Sequence, residues 1–176
     1  MQGELVFLRA LEEDDLVTVR KWNFDAEISR YFSSRFPVSM EEQKKWYTHQ
    51  YNSETKKRLI ICDKKTEQMI GLVGFMQIDH LNRNCEIGIT IGETAYWGQP
   101  HGGEALRLAL KFLFKDYNMH LVYLKVFENN TRAIKFFQKN RFVQNGILRD
   151  MIFWEGKYVS WVWMSIRFDE WQKNQE

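Results

Sequence analysis

Between Cys85 and Tyr117 the hydrophobic period changes from two to 3.6, and the change falls on a glycine-rich turn. Cys85-Glu86-Ile87-Gly88-Ile89-Thr90-Ile91 alternates as a half-buried strand does. From Gly103 to Tyr117, Ala105, Ala109, Phe112 and Leu113 fall on one helical stripe, with Glu104, Arg107, Lys111 and Lys115 on another face. The joining segment, Tyr96-Trp97-Gly98-Gln99-Pro100-His101-Gly102-Gly103-Glu104-Ala105, carries three glycines. Glycines permit close approach and positive φ, and the free N–H groups of a helix start face an anion, so the segment suits a pyrophosphate. An ordinary tight turn is the plain alternative. The segment has neither GxxxxGK[ST] nor GxGxxG, and the chain has too few βα units for a full dinucleotide fold.

The rest of the chain supplies elements around this junction. Leu5 to Arg9 reads as a first strand, and Glu12-Glu13-Asp14-Asp15 opens a helix that Trp22-Asn23-Phe24 closes. Ser39-Met40-Glu41-Glu42 has the form of a capping box and starts a helix through Tyr51. Leu59 to Cys62 and Ile70 to Asp79 read as a strand pair about the charged turn Asp63 to Gln68. Leu121 to Phe127 is β-rich, and Ala133, Ile134, Phe136 and Phe137 give the next helix its apolar side. Phe142 to Leu148 and Tyr158 to Phe168 are late strands flanking a short Ile152-Phe153-Trp154 piece. The order βαα-βββ-α-β-α-ββ predicts an α+β fold, a mixed sheet with helices on both faces. With no repeat or linker, one domain is expected over 1–176, its body from 4 to 168 and a fraying tail after Trp171.

Composition narrows the function classes. The 25 Lys and Arg against 23 Asp and Glu leave a formal charge of +2 with no basic stripe, so nucleic acid is not an expected partner. Apolar runs are short and no signal sequence opens the chain, so no membrane partner and a cytoplasmic location are expected. Cys62 and Cys85 stand apart in no metal-binding cluster, so neither a metal nor a disulfide is expected. Asn129-Asn130-Thr131 has the glycosylation pattern, but without a secretory signal it reads as a helix start. Seven Trp, seven Tyr and thirteen Phe pose the remaining question, whether they only fill a core, as Phe112 and Tyr123 are expected to do.

Nearly the whole chain resembles the GNAT superfamily of acetyl-CoA-dependent N-acetyltransferases, in the branch with bacterial ribosomal-protein N-terminal and spermidine N-acetyltransferases. The resemblance runs through Leu8-Arg9-Ala10-Leu11, Asp14-Asp15-Leu16, Gly71-Leu72-Val73-Gly74 and Cys85-Glu86-Ile87-Gly88, and is densest at Trp97-Gly98 with Glu104-Ala105. It returns at Asn118-Met119-His120, at Glu128 to Ile134 and at Gly156-Lys157-Tyr158. It implies a mostly antiparallel sheet splayed at an acetyl-CoA site. It also implies that Trp97, Gly98, Gln99, His101, Gly102 and Gly103 hold the pyrophosphate, that Ile89, Thr90 and Ile91 pair with the pantetheine arm as an added strand would, and that Asn130 contacts the arm from the other side. An ordinary helix N-cap is the plain alternative for Asn130.

A free alkylamine with a pKa near ~10 is about one part in a thousand neutral at pH 7, so transfer to it requires a base, directly or through water. Glu86, on the strand leading to the cofactor, is the expected base, with His80 as runner-up and an exposed strand glutamate as the plain alternative. A backbone N–H of the Ile89–Ile91 strand suits the thioester oxygen. Two positions depart from the family pattern. Pro100 stands where a glycine is usual and removes one N–H. Phe137, beside the expected cofactor, stands where the family commonly has the tyrosine that protonates the leaving thiolate. Tyr158 and Tyr96 are substitutes, and a thiol near pKa ~8.5 also leaves with solvent help. Arg141, where a turn glycine is usual before Phe142, reads as a local loop change.

The acceptor is expected between Trp22–Tyr31, Trp46–Tyr51 and Phe153–Trp161, with Trp22, Trp46, Tyr47, Phe153 and Trp154 as an aromatic wall. Asp25, Glu27, Glu41, Glu42 and Glu54 are interspersed with Lys44, Lys45, Lys56, Lys57 and Arg58, so a polyamine is favoured no more than a protein N-terminus or an amino sugar. The alternatives are an acyl-CoA-binding module with weak or no catalysis, because of Phe137, and a plain interaction domain. Trp161 and Trp163, alternating on one strand, are compatible with a homodimer or with burial under helices.

Overall fold

The computed structural model describes residues 1–32 and 36–173. Its strands are β1 (Val6–Ala10), β2 (Lys57–Asp63), β3 (Met69–Asp79), β4 (Asn84–Ile91), β5 (Leu121–Phe127), β6 (Val143–Trp154) and β7 (Lys157–Arg167). Its α-helices are α1 (Leu16–Phe24), α2 (Met40–Asn52), α3 (His101–Lys111), α4 (Thr131–Lys139) and α5 (Phe168–Gln172). The strands form one sheet in the order β1-β2-β3-β4-β5-β7-β6. The pairs β1–β2, β2–β3, β5–β7 and β6–β7 are antiparallel and β4–β5 is parallel, as the α+β reading expects. The β4–β5 register covers Asn84↔Leu121, Cys85↔Val122 and Glu86↔Tyr123, whereas β4 continues to Ile91 and β5 to Phe127.

The expected element order holds, and so does the capping box. The Ser39 hydroxyl accepts the Glu42 N–H at 3.1 Å while the Glu42 carboxylate accepts the Ser39 N–H at 2.8 Å. Three local readings change. The acidic run before α1 is a separate 3-10 turn, Glu13–Asp15, whose Asp15 takes a two-pronged bond from Arg9 at 2.7 Å on each oxygen. The late pieces at 142–148 and 152–154 are one strand, β6, whose register slips between Leu148 and Ile152. Asp150, with φ +55°, sits in that slip as the extra residue of a bulge does. A helix missed by the sequence reading, α5, follows β7 and buries Trp171 against Phe114, with ring centroids 5.3 Å apart. The last part of the tail, 174–176, lies outside the described residues.

The chain divides into two compact units interleaved in sequence, Met1–Met76 with Gly88–Ala109 and Gln77–Ile87 with Leu110–Glu176. In the first, Leu11, Val19, Ile60 and Cys62 form a buried cluster, with Phe7, Trp46, Tyr47, Met69 and Leu72 packed on it. In the second, Val122, Leu124 and Val126 turn one face of β5 inward together with Val162, Met164 and Ile166 of β7. Cys62 and Cys85 are buried free thiols, and burial pushes the Cys85 thiol up to about 12. No helix among the described residues is long and apolar enough to cross a membrane.

Candidate active site

In the first unit the site is made of backbone. Gly71 in β3 has no room for a Cβ, which would collide with the Thr90 carbonyl, so glycine there allows β3 to lie directly against the end of β4. The N–H groups of Gly92 and Glu93 then both donate to the Ile70 carbonyl, at 2.9 and 3.2 Å. The Trp97 indole donates to the Ile91 carbonyl at 2.8 Å, which ties the loop back onto the strand. One main-chain group of the expected pantetheine ladder, the Ile91 carbonyl, therefore already has a partner within the chain. Gly98, with φ +76°, makes the turn that follows.

The α3 ladder begins with the Glu104 N–H donating to the Pro100 carbonyl at 3.0 Å. The N–H groups of His101, Gly102 and Gly103 precede that ladder and point out of the helix end, where the dipole favours an anion. Pro100 lies at the residue before α3, where a missing N–H removes nothing from the helix. The helix start thus fits a diphosphate through main-chain groups. The His101 side chain is turned elsewhere, with Nε2 3.2 Å from the Asp63 carboxylate and its ring edge-on to Tyr96 at 4.8 Å.

Glu104 is not the exposed helix residue that its stripe implies. It is 8% exposed, and its carboxylate accepts the N–H groups of Glu4, Leu5 and Val6 at 3.0, 2.7 and 2.8 Å. Burial pushes this carboxyl up, but those three bonds, helped by Arg107, outweigh it and hold the group below its ordinary range. An acid in the first turn of α3 is thereby engaged by the chain at and just before β1.

Trp22 does not wall a cleft. It is 2% exposed, a Cβ at Gly92 would run into its ring, and its indole donates to Glu93 at 3.0 Å, so it is a core residue of the first unit. Trp46 and Tyr47 are half-buried on the hydrophobic cluster named above.

In the second unit the candidate site is made of side chains. Glu86 faces the same side of the sheet as Tyr123 and Lys125 of β5 and Trp161 and Trp163 of β7, placed there by the pairs Glu86↔Tyr123, Lys125↔Trp163 and Phe127↔Trp161. Its carboxylate lies 3.0 Å from the Lys125 ammonium, with the two side chains 16% and 24% exposed. The Lys125 ammonium is also 4.9 Å from the centre of a Trp161 ring and 5.8 Å from a Trp163 ring. Trp163 in turn stacks on Tyr123 at 4.8 Å with a 10° tilt. Burial first, and then the Glu86 carboxylate, raise the Tyr123 phenol. Tyr123 is accordingly half-buried on this open face rather than in the core. Lys125 escaped the sequence reading, although a lysine at the centre of an aromatic strand was a usable signal.

The remaining second-unit candidates scatter. His80 packs its ring 5.3 Å from Tyr117. Asn130 is the N-cap of α4, its side chain accepting the Ala133 N–H at 3.1 Å. Phe137 is buried between Phe136 and Phe142, with centroids 5.1 and 5.4 Å away. It closes the end of α4 and has no open face for a ligand. Phe153 and Tyr158 are an exposed edge-to-face pair at 5.4 Å, and Trp154 packs on Phe127 at 5.6 Å. No group of three or more metal-ligating side chains occurs among the described residues.

Residues 6–143 match the sequence model of the acetyltransferase (GNAT) domain. The chain is 28% identical over 151 residues to a spermidine N(1)-acetyltransferase of Vibrio cholerae, covering 86% of each chain. It is 29% identical over 162 residues to the Escherichia coli enzyme of that name, covering 92% of this chain and 85% of the other. Its fold superposes on the crystal structure of the spermidine N-acetyltransferase from Vibrio cholerae in complex with CoA and spermine. The TM-score is 0.90 at 26% identity, over 97% of this chain and 99% of that one. A phosphate-ready helix start, a strand end held by glycine contacts and a family match over well over half the chain agree: this chain belongs to the GNAT acetyltransferase family, and it is an N-acetyltransferase that uses acetyl-CoA as its acetyl donor.

Proposed function

We propose that the acceptor is a polyamine of the spermidine class, acetylated on a primary amine. The observation that carries this reading is the end-to-end likeness to spermidine N-acetyltransferases, one of them solved with CoA and spermine. The interspersed acids and lysines of the early helices gave the sequence no such preference; the relatives tip the balance away from a peptide N-terminus or an amino sugar.

Acetyl-CoA supplies an activated acyl group on a thiol that leaves readily. The chain's own residues do the rest. In the first unit, the N–H groups of His101, Gly102 and Gly103 receive the diphosphate, Gln99 and Trp97 frame the loop, and the Ile89–Ile91 main chain orients the arm and offers an N–H to the thioester oxygen. In the second unit, Asn130 presents its amide at the start of α4, and Glu86 holds the acceptor ammonium and passes its proton to water. Tyr158 is 65% exposed and edge-on to Phe153, and no step is assigned to its hydroxyl. With Phe137 in place of an acid, the departing thiolate takes its proton from solvent.

A thiol-release assay over spermidine, N-terminal peptides and amino sugars tests the acceptor, with spermidine expected to show the highest kcat/KM. Glu86→Gln is expected to lower kcat on spermidine about a hundredfold, while Tyr158→Phe changes it less than about threefold. Acetyl-CoA binding with no turnover on any amine would instead favour the binding-module alternative.

A further inference from the structure

The open face of the second unit already holds an ammonium group. Lys125 places its Nζ 3.0 Å from a Glu86 carboxylate oxygen and beside the rings of Trp161 and Trp163, at 4.9 and 5.8 Å. Trp163 is in turn braced by the nearly parallel, stacked ring of Tyr123. One carboxylate and two indoles are what an alkylammonium requires, since indole is the strongest aromatic partner for a cation and the carboxylate adds direct charge pairing. The arrangement is built by strand register, with Lys125 directly opposite Trp163 and Glu86 opposite Tyr123. It does not depend on a flexible loop.

We propose that Glu86, Trp161 and Trp163 form an ammonium-binding cage that Lys125 occupies as a tethered competitor, and that an acceptor's alkylammonium enters by displacing the Lys125 side chain. This rests on the reading that the acceptor is an alkylamine with Glu86 as its partner, and it adds a specificity-determining residue, Lys125. While Lys125 is in place, the Glu86 carboxylate already has a cationic partner and both indoles lie within cation–π reach of that same ammonium. Only a ligand whose cation reaches both the carboxylate and the rings replaces what Lys125 gives up. A neutral amine or an acceptor with a single weakly held charge does not. Lysine suits the part better than arginine, because its flexible four-carbon stem lets the head swing out while its compact charge re-enters water.

The ordinary alternative is that Lys125 and Glu86 are a structural ion pair and nothing else, and the test separates the two. Butylammonium, which carries one ammonium on a lysine-like stem, is titrated without acetyl-CoA into the wild type, Lys125→Met and the double variant Lys125→Met with Trp161→Ala. Binding is read in all three proteins from the indole N–H resonance of Trp163, and thermal melting of each variant reports folding. The cage predicts that Lys125→Met binds butylammonium about fivefold more tightly or better, the scale of a partly exposed ion pair with a cation–π contact. The double variant is expected to lose that gain. Should Lys125→Met fail to melt as a folded protein, Lys125→Gln takes its place with the same expectation. Equal affinity in wild type and Lys125→Met, or a gain that survives the loss of Trp161, overturns the cage. The polyamine reading fails separately, if the wild type acetylates other amines in preference to spermidine, because butylammonium binding involves no acetyl transfer.

Discussion

The α3 start in the first unit and the open sheet face in the second, the two places proposed to meet ligands, are built by opposite means. At the helix start the groups proposed to meet the ligand are main-chain N–H, and nearby side chains are engaged within the chain: Glu104 by Glu4, Leu5 and Val6, His101 by Asp63, Trp97 by Ile91. On the sheet face the backbone is consumed by strand pairing, and the groups on offer are the side chains of Glu86, Lys125, Trp161 and Trp163. A site made of backbone tolerates a change of residue wherever φ and space allow, which is how Pro100 is accommodated. A site made of side chains changes character with one residue, as Lys125 illustrates.

Glu104 carries the largest expected effect, because its carboxylate ties the first turn of α3 to three N–H groups at and just before β1. Glu104→Ala leaves three N–H groups without their acceptor, that of Val6 buried, and is expected to cost about 3 kcal/mol, a charged acceptor being worth more than a neutral one. Urea unfolding at pH 7 measures it. Since the folded carboxyl lies below its ordinary range, its contribution is fully present above the ordinary value near ~4.3 and fades as pH falls through the lower folded value. The gap between wild type and Glu104→Ala therefore narrows only in acid, and a gap independent of pH between 7 and 3 counts against the charge-assisted account. The sheet-face residues have no comparable role, so Trp161→Ala is expected to leave the acid limb of the unfolding curve unchanged.

At Gly71 the expected effect is kinetic rather than on stability. Adding a methyl group there forces the Thr90 carbonyl away from β3, and with it the main chain that the acetyl-CoA arm is proposed to follow. Gly71→Ala is expected to raise the KM for acetyl-CoA about tenfold with a smaller effect on the KM for the amine, a split that steady-state kinetics resolves. Equal effects on both would mean that the two sites are not separable in this way.

This contrast also explains what could be read from the residues alone. The capping box at Ser39 and Glu42, the β4 alternation and the glycine-to-helix junction are local, and local signals fix local structure. Glu104 lies on the polar stripe of α3 by period, yet its partners are about a hundred residues away in sequence, and nothing in a helical pattern reveals a partner at that distance. Trp22 looked like a ligand wall because its segment does, whereas a glycine 70 positions later makes it core. The Glu86 and Lys125 pair depends on a parallel register of three residues, a tertiary fact that propensity does not encode.

Arg141 gives the smallest effect and the cleanest reading. The family pattern has a turn glycine there, and the structure shows why: Arg141 has φ +70°, the left-handed conformation that closes a helix. Its N–H donates to the Gln138 carbonyl at 3.0 Å, and the Phe142 N–H donates to the Phe137 carbonyl at 3.0 Å, the paired bonds of a Schellman motif. The hydrophobic contact that accompanies such a motif is here Phe137 against Phe142. Phe137 therefore serves the end of α4 through both its carbonyl and its ring, and the turn keeps its form although an arginine bears the strain. Arg141→Gly removes the Cβ penalty of about 1 kcal/mol, less the extra backbone entropy glycine brings to the unfolded chain, and is expected to stabilise by a few tenths of a kcal/mol to about 1. A rise in Tm with kcat unchanged confirms Arg141 as a tolerated strain. A fall in kcat on spermidine with no loss of stability would show that its guanidinium serves the acceptor, and would give the second unit one more functional side chain.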